Sequence, residues 1–421
     1  MYWGTKMIYK ILLTLDYLAI FYFFLVNTTY IILNIIAFFS IRKKRLKKKI
    51  QDIDKPFSSE FYKPLSIIVP AYNEEKTIVS NLESILELQY PEFEVIVVND
   101  GSSDNTLQKL FENFNLKSFT TNYNAEIETE AVNCIYQSTT HPNLIVIDKE
   151  NGGKADSLNA GVNMSSYPLV CNIDADSLID SEALLRIVEP FVNDWRVIAA
   201  GGTIRVANSC KVKNGQIKEV NLSKNFLVRM QVVEYLRAFL FGRVGWAAIN
   251  SLLIISGAFG VFKKKHLIRA GGYNPDTVGE DMELVLRLNR KMKEFQRKYK
   301  VVFLPDPVCW TQVPDNTDSL SKQRKRWHRG LGESLFYNIS LFFNYKYGSI
   351  GLIAFPFYFF VELLGPIVET VGYTSLILTF ILGYGNQQII LLFLIASILL
   401  GILLSLTSLL FEEMSFRKYE K

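Results

Sequence analysis

The sequence is poor in the residues that bind transition metals or form covalent cross-links. Its 421 residues include only four cysteines and three histidines. The cysteines, Cys134, Cys171, Cys210 and Cys309, are widely separated, so no pair has metal-ligand spacing and no disulfide framework is indicated. We therefore do not expect a histidine- or cysteine-based metal site, and we expect reduced, structural thiols, as in a cytosolic domain.

Basic residues are concentrated in one block instead of forming a basic face. The formal net charge is +5, but residues 42–49 (RKKRLKKK) alone contribute +7, which leaves −2 on the remainder. Recognition of nucleic acid requires distributed positive charge, so nucleic acid is not an expected partner.

Long apolar runs lie near both ends of the chain. Residues 17–41 are long enough to cross a bilayer as a helix, and the basic block after them predicts membrane lipid as a partner and a cytoplasmic location for the next domain. Residues 389–411 predict a further span. The zone 349–383 exceeds one straight crossing, so we expect it to tilt, break or contain a re-entrant half-helix. We favour two C-terminal crossings, which would return residues 416–421 (FRKYEK) to the cytoplasm.

The middle of the chain alternates short apolar runs with helical patterns. Strands are predicted at 65–70, 94–100, 144–148 and 169–174, with helices between them such as 74–88 and 104–114. This alternation predicts an α/β fold, a doubly wound sheet whose ligand site lies at the carboxyl ends of the strands.

Three further stretches complete the predicted organisation. Residues 115–143 are expected to be a loop or edge excursion, and residues 205–225 are similar. Residues 226–243 predict either an amphipathic helix near the membrane interface or the acceptor channel, or a core helix. The chain then divides into an N-terminal membrane helix with its basic flank (1–50), a cytoplasmic domain with interfacial helices (60–340) and a C-terminal membrane region (345–421).

Polar motifs follow the predicted strands. In chain order they are VPAYNEE (69–75), VVNDGSSD (97–104), NGGKADSLN (151–159), NIDADS (172–177), GED (279–281) and QRKRW (323–327). In the fourth motif, Asp174 and Asp176 are alternate residues, which point the same way in an extended chain. Two converging carboxylates are hard ligands that suit Mg²⁺ or Mn²⁺ on a diphosphate.

The first three motifs predict contacts to a nucleotide. The turn after the first strand places Tyr72 and Glu74 over the sheet edge, where an aromatic ring can stack on a base; the simpler alternative is a plain turn with Asn73 as helix cap. Asp100 can accept hydrogen bonds from a base or a ribose, or can belong to an ordinary cap and turn. Lys154 follows two glycines that permit close approach to phosphate, although it can equally be a solvated lysine.

The last two motifs contain acid–base and diphosphate-binding candidates. Glu280 and Asp281 precede a helical pattern; one can deprotonate a hydroxyl, or both can stabilise the positive end of that helix. Gln323, Arg326 and Trp327 share a helical face, so a guanidinium for a diphosphate and an aromatic ring for a sugar can address one site. The same basic segment can alternatively contact anionic lipid.

Together, the motifs resemble the family 2 inverting glycosyltransferases, in the membrane-integrated branch that includes cellulose, chitin, hyaluronan and poly-N-acetylglucosamine synthases. The resemblance covers about residues 60–340. It implies a GT-A-like fold, a plasma-membrane location, a divalent cation, a UDP-sugar donor with GlcNAc or glucose favoured, and a polysaccharide or glycolipid acceptor.

The resemblance also implies roles for single residues. It assigns the region of Tyr72 to the uridine, makes Asp176 the more direct metal ligand and makes Asp281 the base. SGAFG (256–260), with Gly257, resembles the loop that lines the acceptor site, and the motif of Gln323 is typical of the polymer-forming branch.

Other functions stay open at this point. A non-processive enzyme that adds one sugar to a lipid would share the donor site. A catalytically dead nucleotide-sugar sensor would lack the acidic motifs, which are present here, and a channel would have ionisable residues in its first or last span. The few spans suggest that a partner subunit or a second copy completes any export path.

Overall fold

The computed structural model describes residues 2–51, 62–121, 123–213, 216–384 and 387–415. The strands are β1 Leu65–Ala71, β2 Phe93–Asp100, β3 Leu116–Ser118, β4 Val132–Ser138, β5 Leu144–Lys149, β6 Leu169–Ile173, β7 Leu178–Ile179, β8 Val197–Val206, β9 Lys211–Lys213, β10 Gln216–Glu219, β11 Phe259–Lys263 and β12 Lys300–Thr311. The α-helices are α1 Tyr2–Gln51, α2 Ile78–Leu86, α3 Thr106–Phe114, α4 Lys154–Met164, α5 Ala183–Asn193, α6 Phe226–Leu236, α7 Val244–Ala248, α8 Lys264–Ala270, α9 Glu280–Glu294, α10 Thr317–Tyr337, α11 Phe355–Phe357, α12 Gly365–Ile381, α13 Gln387–Leu394 and α14 Leu400–Ser415.

Short 3₁₀ and π segments interrupt or join these helices. The 3₁₀ segments are Ile339–Leu341 and Tyr345–Tyr347, and the π segments are Arg237–Arg243, Ile350–Ala354, Tyr358–Leu363 and Ile395–Leu399. A π turn breaks the regular hydrogen-bond pattern of a helix and is frequent at functional sites.

A ten-stranded mixed sheet forms the centre of the protein. Its strand order is β3-β4-β5-β2-β1-β6-β11-β8-β12-β7. The four strands predicted from apolar runs, β1, β2, β5 and β6, form a contiguous parallel group, whereas β11 runs antiparallel to both of its neighbours. Continuous apolar runs suit parallel strands that are covered on both faces. The predicted α/β class is therefore confirmed, and the carboxyl ends of β1, β2 and β6 lie at one edge.

Two stretches expected to be irregular contain strands. Within 115–143, β3 and β4 form the edge of the sheet, so the edge alternative is the right one. Within 205–225, β9 and β10 form a separate two-stranded hairpin, which corrects the prediction of a loop. Both segments are short and rich in polar residues, so hydrophobic periodicity gave no signal for them.

Two helices are long and apolar enough to span a membrane. They cover Lys6–Lys43 and Gln387–Glu413, and a third span is present if the bent pair Ile350–Leu363 and Gly365–Ile381 counts as one. That pair is bent by 49°, which agrees with the expected break in the zone 349–383. The terminal FRKYEK segment, residues 416–421, lies outside the described residues.

The apolar helices pack directly on the α/β unit. Leu33 and Ala37 of α1 belong to the same buried apolar cluster as the central strands. At the other end, Glu412 of α14 receives two hydrogen bonds from the buried Arg205 guanidinium of β8, at 2.7 and 2.9 Å. The sheet and the terminal helices are therefore joined by both apolar packing and a paired charge.

Candidate functional site

The turns that follow β1 and β2 are hydrogen-bonded to each other. Asn73 adopts a left-handed backbone conformation, with φ of 57°. Its side-chain oxygen accepts hydrogen bonds from the amides of Ser103 and Asp104, at 2.8 and 3.3 Å, and its own amide donates to the Ser102 hydroxyl at 3.0 Å. Asn73 thus joins the first two motifs and does not cap α2, whose N-cap is Thr77.

Tyr72 and Glu74 extend from this joined turn. The side chain of Tyr72 is 52% exposed, so its ring is accessible to a ligand. Burial raises the pKa of Glu74, against the hydrogen bond from Thr77, and the negative charges of Asp176 and Asp174 raise it further. Glu74 therefore lies near the predicted metal-binding aspartates.

Asp100, at the end of β2, is buried and fully engaged by protein donors. Its carboxylate accepts the Lys149 ammonium at 2.9 Å and the amides of Gly152 and Gly153 at 3.0 and 2.8 Å. Asn151 donates to the same carboxylate at 3.2 Å. In this geometry Asp100 holds the glycine loop in place, and Lys149, which the sequence did not single out, supports it.

Asp174 and Asp176 lie in a turn and not in an extended strand. β6 ends at Ile173, and the Ser177 amide donates to the Asp174 carbonyl oxygen at 3.0 Å. The argument from strand alternation is therefore wrong in its geometry. Partial desolvation raises the pKa of Asp176, and the negative charge of Asp174 raises it further, so the two carboxylates are nevertheless close enough to interact.

Lys154 connects the glycine loop to both acidic motifs. Its ammonium lies 2.5 Å from the Asp174 carboxylate and 3.6 Å from that of Glu280. Burial acts to lower the pKa of Lys154, but the charges of Asp174 and Glu280 outweigh it, so the net shift is upward. Lys154 is thus a charged group paired with both acidic motifs, and its side chain is 38% exposed.

Gly257 brings Asp281 into the same cluster. One oxygen of Asp281 accepts the Gly257 amide at 3.0 Å, and the Gly257 carbonyl accepts the Asn172 side-chain amide at 2.7 Å. A Cβ at Gly257 would lie 3.1 Å from the Lys154 nitrogen, so the absence of a side chain permits this approach. The structure therefore places Lys154, Asp174, Glu280 and Asp281 around one loop.

The Q-x-x-R-W helix, α10, is attached to the segment that precedes Asp281. Gly330 packs so closely on Gly279 that a Cβ on Gly330 would lie 2.8 Å from the Gly279 Cα. Glu333 accepts hydrogen bonds from the Thr277 hydroxyl and the Val278 amide, at 2.9 and 3.0 Å. These contacts position the GED motif, although no sequence motif singled out Gly330 or Glu333.

The residues of the Q-x-x-R-W motif itself are differently placed. Arg326 is exposed, and Trp327 is 40% exposed with the Arg324 guanidinium 4.6 Å from its ring centroid. The side-chain oxygen of Gln323 is buried and has no hydrogen-bond partner among the described residues. Within the described part of the chain, no hydrogen bond or ion pair joins this motif to Asp281; the connection runs through the helix.

Arg243 is the main candidate that the motifs did not identify. It ends the π segment Arg237–Arg243, and its guanidinium carbon lies 3.9 Å above the Phe239 ring centroid. One terminal nitrogen is buried without a hydrogen-bond partner among the described residues. Burial lowers the pKa of Arg243, and the charge of Asp281 opposes that shift, so the two groups interact electrostatically. The available sequence signal was a basic residue at the end of the mostly apolar stretch 238–243.

The aspartate pair has the donor chemistry for a divalent cation that arrives with a ligand. Within the described part of the chain, no three His, Cys, Asp or Glu side chains are grouped so that they could hold an ion by themselves. Asp176 is exposed and forms no ion pair there. Hard divalent cations are often bound by one or two carboxylates together with phosphate and water. The residues therefore fit such a cation.

Comparison with known protein families gives two overlapping matches. Residues 66–264 match the model described as glycosyl transferase family 2, and residues 169–406 match glycosyl transferase family group 2. The second model covers more than half of the chain.

Comparison with individual proteins gives sequence relatives and solved structures of similar fold. The poly-β-1,6-N-acetyl-D-glucosamine synthases of Staphylococcus epidermidis and Staphylococcus aureus (strain COL) are 31% and 30% identical, over 64% of this chain in each case. The match spans 55% of each relative, or about half its length. A mannosyltransferase from Pyrobaculum calidifontis, solved with GDP-Man and Mn²⁺, has a TM-score of 0.57 and 19% identity, covering 93% of this chain and 99% of that one.

Proposed function

This chain belongs to glycosyl transferase family group 2, and from that premise we propose that it transfers GlcNAc from a UDP-sugar to a growing polysaccharide. The observation that carries the proposal is the convergence of Lys154, Asp174 and Asp281 on the Gly257 loop. That arrangement brings a base and diphosphate-binding groups to one point. The curated relatives support GlcNAc as the sugar, although they are matched over only part of their length.

The donor binds at the carboxyl ends of β1, β2 and β6. Tyr72 stacks on the uracil ring, because its exposed ring stands at the rim of the joined turn. Asp100 acts through the loop that it fixes, and Glu74 contributes polar contacts beside the aspartates. Lys154 and Asp174 lie where the diphosphate would enter.

Asp174 and Asp176 would hold Mg²⁺ or Mn²⁺, with Asp176 as the more direct ligand because its carboxylate is exposed and free of ion pairs in the described structure. A cation held there would supply positive charge to offset the negative charge on the departing nucleoside diphosphate. Lys154 adds a fixed positive charge beside the same position, and its ion pair with Asp174 orients that carboxylate.

Asp281 is the general base of a single inverting displacement. Its carboxylate is held by the Gly257 amide and lies at the first turn of α9. The carboxylate takes the proton of the acceptor hydroxyl while that oxygen forms a bond to the anomeric carbon. The bond between the anomeric carbon and the phosphate oxygen breaks with its electron pair leaving on UDP. A single in-line attack inverts the centre and requires no covalent nucleophile.

The acceptor binds beside Asp281, between α10, which packs on Gly279, and the π segment that ends at Arg243. Trp327 offers a partly exposed aromatic face for a sugar ring, and Gln323, Arg326 and Arg243 supply polar groups for the acceptor and the diphosphate. The buried, unpartnered atoms of Gln323 and Arg243 support this placement, because buried polar groups normally have partners.

Membrane helices anchor the enzyme in the plasma membrane with residues 60–340 in the cytoplasm, where UDP-sugars occur. The apolar spans in α1 and in the segment Gln387–Glu413 support membrane association. The basic block 42–49 supports the orientation through the positive-inside rule. A second copy or an accessory subunit would complete a path for the polymer.

The test is donor turnover by the purified protein reconstituted in lipid. UDP-GlcNAc, UDP-glucose and GDP-mannose would be compared with Mn²⁺, with Mg²⁺ and with EDTA, and products sized in the same reactions. We expect nucleotide release and a long polymer from UDP-GlcNAc only, abolished by EDTA. Addition of one sugar to lipid would replace the polymer proposal, and turnover in EDTA would contradict the role of the aspartate pair.

A further inference from the structure

A second concave site lies at the opposite ends of the central strands from the aspartate pair. We call it the cationic pocket; its cavity of about 190 Å³ is bordered by His266, Arg269, Lys291, Met292, Phe295 and Arg297. It lies between α8 and the carboxyl-terminal end of α9. None of the described residues that line it is acidic.

The topology separates the cationic pocket from the donor site. β11 is antiparallel to β6, so that Phe259 pairs with Ile173 beside the aspartates and Lys263 pairs with Leu169 at the far edge. Four residue steps along a strand correspond to about 13 Å. Because α8 starts directly after Lys263, the pocket cannot be an extension of the donor site.

Local backbone geometry brings the cations together. The chain reverses after α9 at Gln296, with φ of 50°, and the Arg297 amide donates to the Met292 carbonyl oxygen at 3.1 Å. This reversal returns Arg297 toward α8. Lys291 points the same way, since its ammonium donates to the Ala270 carbonyl oxygen at 3.2 Å.

The positive charge of the pocket is not neutralised within the described structure. The guanidinium groups of Arg269 and Arg297 have no hydrogen bond or ion pair there, and both side chains are exposed. The nearby carboxylate of Glu294 turns away and accepts a hydrogen bond from the Tyr347 hydroxyl at 3.1 Å. Like charges held close together with no counter-charge create a strong local field for an anion.

The histidine in the pocket reports this field. Burial lowers the pKa of His266 to about 4, and the charges of Lys265, Lys263, Arg269 and Arg297 contribute to that shift. The ring is therefore neutral at pH 7 in the free protein. A bound dianion would offset the surrounding positive charge and raise the pKa of His266.

The pocket also has an apolar part and a restricted size. Leu288 and Met292 are buried beneath it, and Phe295, 62% exposed, forms one wall. A volume of 190 Å³ holds about six water molecules at their liquid volume of roughly 30 Å³ each. An inorganic ion would leave the apolar surface uncovered, whereas a small organic anion would contact both the cations and this surface.

We propose that the cationic pocket binds a small organic phosphate, with the phosphate on Arg269, Lys291 and Arg297 and the carbon part against Met292 and Phe295. Arginine side chains bind phosphate oxygens in pairs of parallel hydrogen bonds, and a phosphate dianion matches two exposed guanidinium groups better than a carboxylate does. The phosphate can belong to a soluble sugar phosphate or to a lipid headgroup. The experiment separates these sources.

Binding would be measured by calorimetry on the full chain, without any nucleotide sugar and at constant ionic strength. The probes are glucose 6-phosphate, glucose as the uncharged control, and phosphatidylcholine vesicles with and without phosphatidic acid. The double variant Arg269→Gln with Arg297→Gln removes two exposed charges, so it should fold normally. Lys298→Gln is the matched control, because Lys298 is an exposed cation outside the pocket.

We expect saturable binding of glucose 6-phosphate, weakened about tenfold or more by the double variant and unchanged in Lys298→Gln. Binding to phosphatidic acid vesicles alone, with the same dependence on the variants, would identify a lipid headgroup as the source. Equal binding of both phosphate probes by the double variant and the parent protein, or no binding of either probe, would overturn the proposal.

A second readout is independent of affinity. The chain has three histidines, so isotope-labelled histidine spectra can be assigned with His266→Gln. On saturation with the bound probe, the pKa of His266 should rise from about 4 toward its ordinary value. An unchanged His266 titration under saturating probe would place the bound phosphate elsewhere. The same experiments on Asp281→Asn should give the same result, so failure of the proposed transferase function would not affect them.

Discussion

The turns of the donor side and two residues of the acceptor side differ in how completely their polar groups are paired. On the donor side, Asn73 joins two turns and the Asp100 carboxylate accepts four hydrogen bonds from the protein, although the side-chain oxygens of Asn99 and Asn172 have no partner among the described residues. On the acceptor side, buried atoms of Gln323 and Arg243 have no partner among the described residues. Since buried polar groups are normally satisfied, the donor turns are formed by folding, whereas a bound ligand would complete the pairing of Gln323 and Arg243.

Substitution of Asp281, which lies where the donor and acceptor sides meet, should cause the largest loss of sugar transfer. Asp281→Asn keeps the size of the side chain and can still accept the Gly257 amide, but it cannot take a proton from the acceptor. We expect transfer to fall by roughly 10²–10⁴-fold, with the dissociation constant for UDP unchanged. Glu280→Gln, at the neighbouring position, is the control for charge alone. Sugar transfer at the parental rate in Asp281→Asn would refute the assignment.

Arg243 tests the incomplete pairing of the acceptor side. Arg243→Met removes a buried guanidinium with little loss of volume, so stability should be unchanged or increase by about 1 kcal/mol. The KM for the acceptor should rise by about 10–100-fold, because a charged hydrogen bond contributes about 1.5–3 kcal/mol. The KM for UDP-GlcNAc should not change.

Arg237→Met is the matched control for Arg243→Met, because Arg237 lies on the same helix and contacts Ser405 at 3.5 Å. A thermal melting curve and acceptor titrations distinguish the two roles of Arg243. A large loss of stability with an unaltered acceptor KM would mean that Arg243 is structural, and the contrast between the two sides would fail.

Sequence patterns predicted the donor side better than the acceptor side for a physical reason. β1, β2, β5 and β6 are continuous apolar runs followed by polar residues, so both strand and site edge are local signals. The motif resemblance was confirmed by the family match, and the α/β class by the sheet. The roles of the individual motif residues remain predictions.

Several features of the site depend on contacts between residues far apart in the chain, and local sequence patterns do not predict such contacts. The contact of Gly279 with Gly330 joins positions far apart in the chain, and the ion pair of Lys154 with Asp174 depends on how the glycine loop folds over β6. The π turn before Arg243 has no periodic signature. The turn at Asp174 also shows that a D-x-D string can gather two carboxylates without a strand.

Substitution of Gly257 should reduce activity less, and the change should involve both the donor side and the acceptor side. In Gly257→Ala the new methyl group would lie 3.1 Å from the Lys154 nitrogen, which is the flexible end of a side chain and can shift. We expect a loss of about 1 kcal/mol in transition-state stabilisation, or about fivefold in kcat/KM. Gly332→Ala is the control, since its Cβ would meet only Leu363 at 3.5 Å. Equal kcat/KM values for the two variants would mean that Gly257 does not contribute to the site.

The smallest change in activity is expected at Asn73, because its contribution is to the fold of the donor side. Asn73→Gly tolerates φ of 57° but loses the side-chain bonds to the Ser103 and Asp104 amides. The variant should lose about 1–2 kcal/mol of stability and bind UDP only a few-fold more weakly. Asn73→Ala loses the same bonds and must also adopt the left-handed conformation, which costs about a further 1–2 kcal/mol. Melting temperatures should therefore fall in the order parent, Asn73→Gly, Asn73→Ala. The KM for the acceptor should be the same in all three proteins. A raised acceptor KM in either variant would mean that the two sides are coupled through the turns, because a donor side formed by folding alone leaves acceptor binding unchanged.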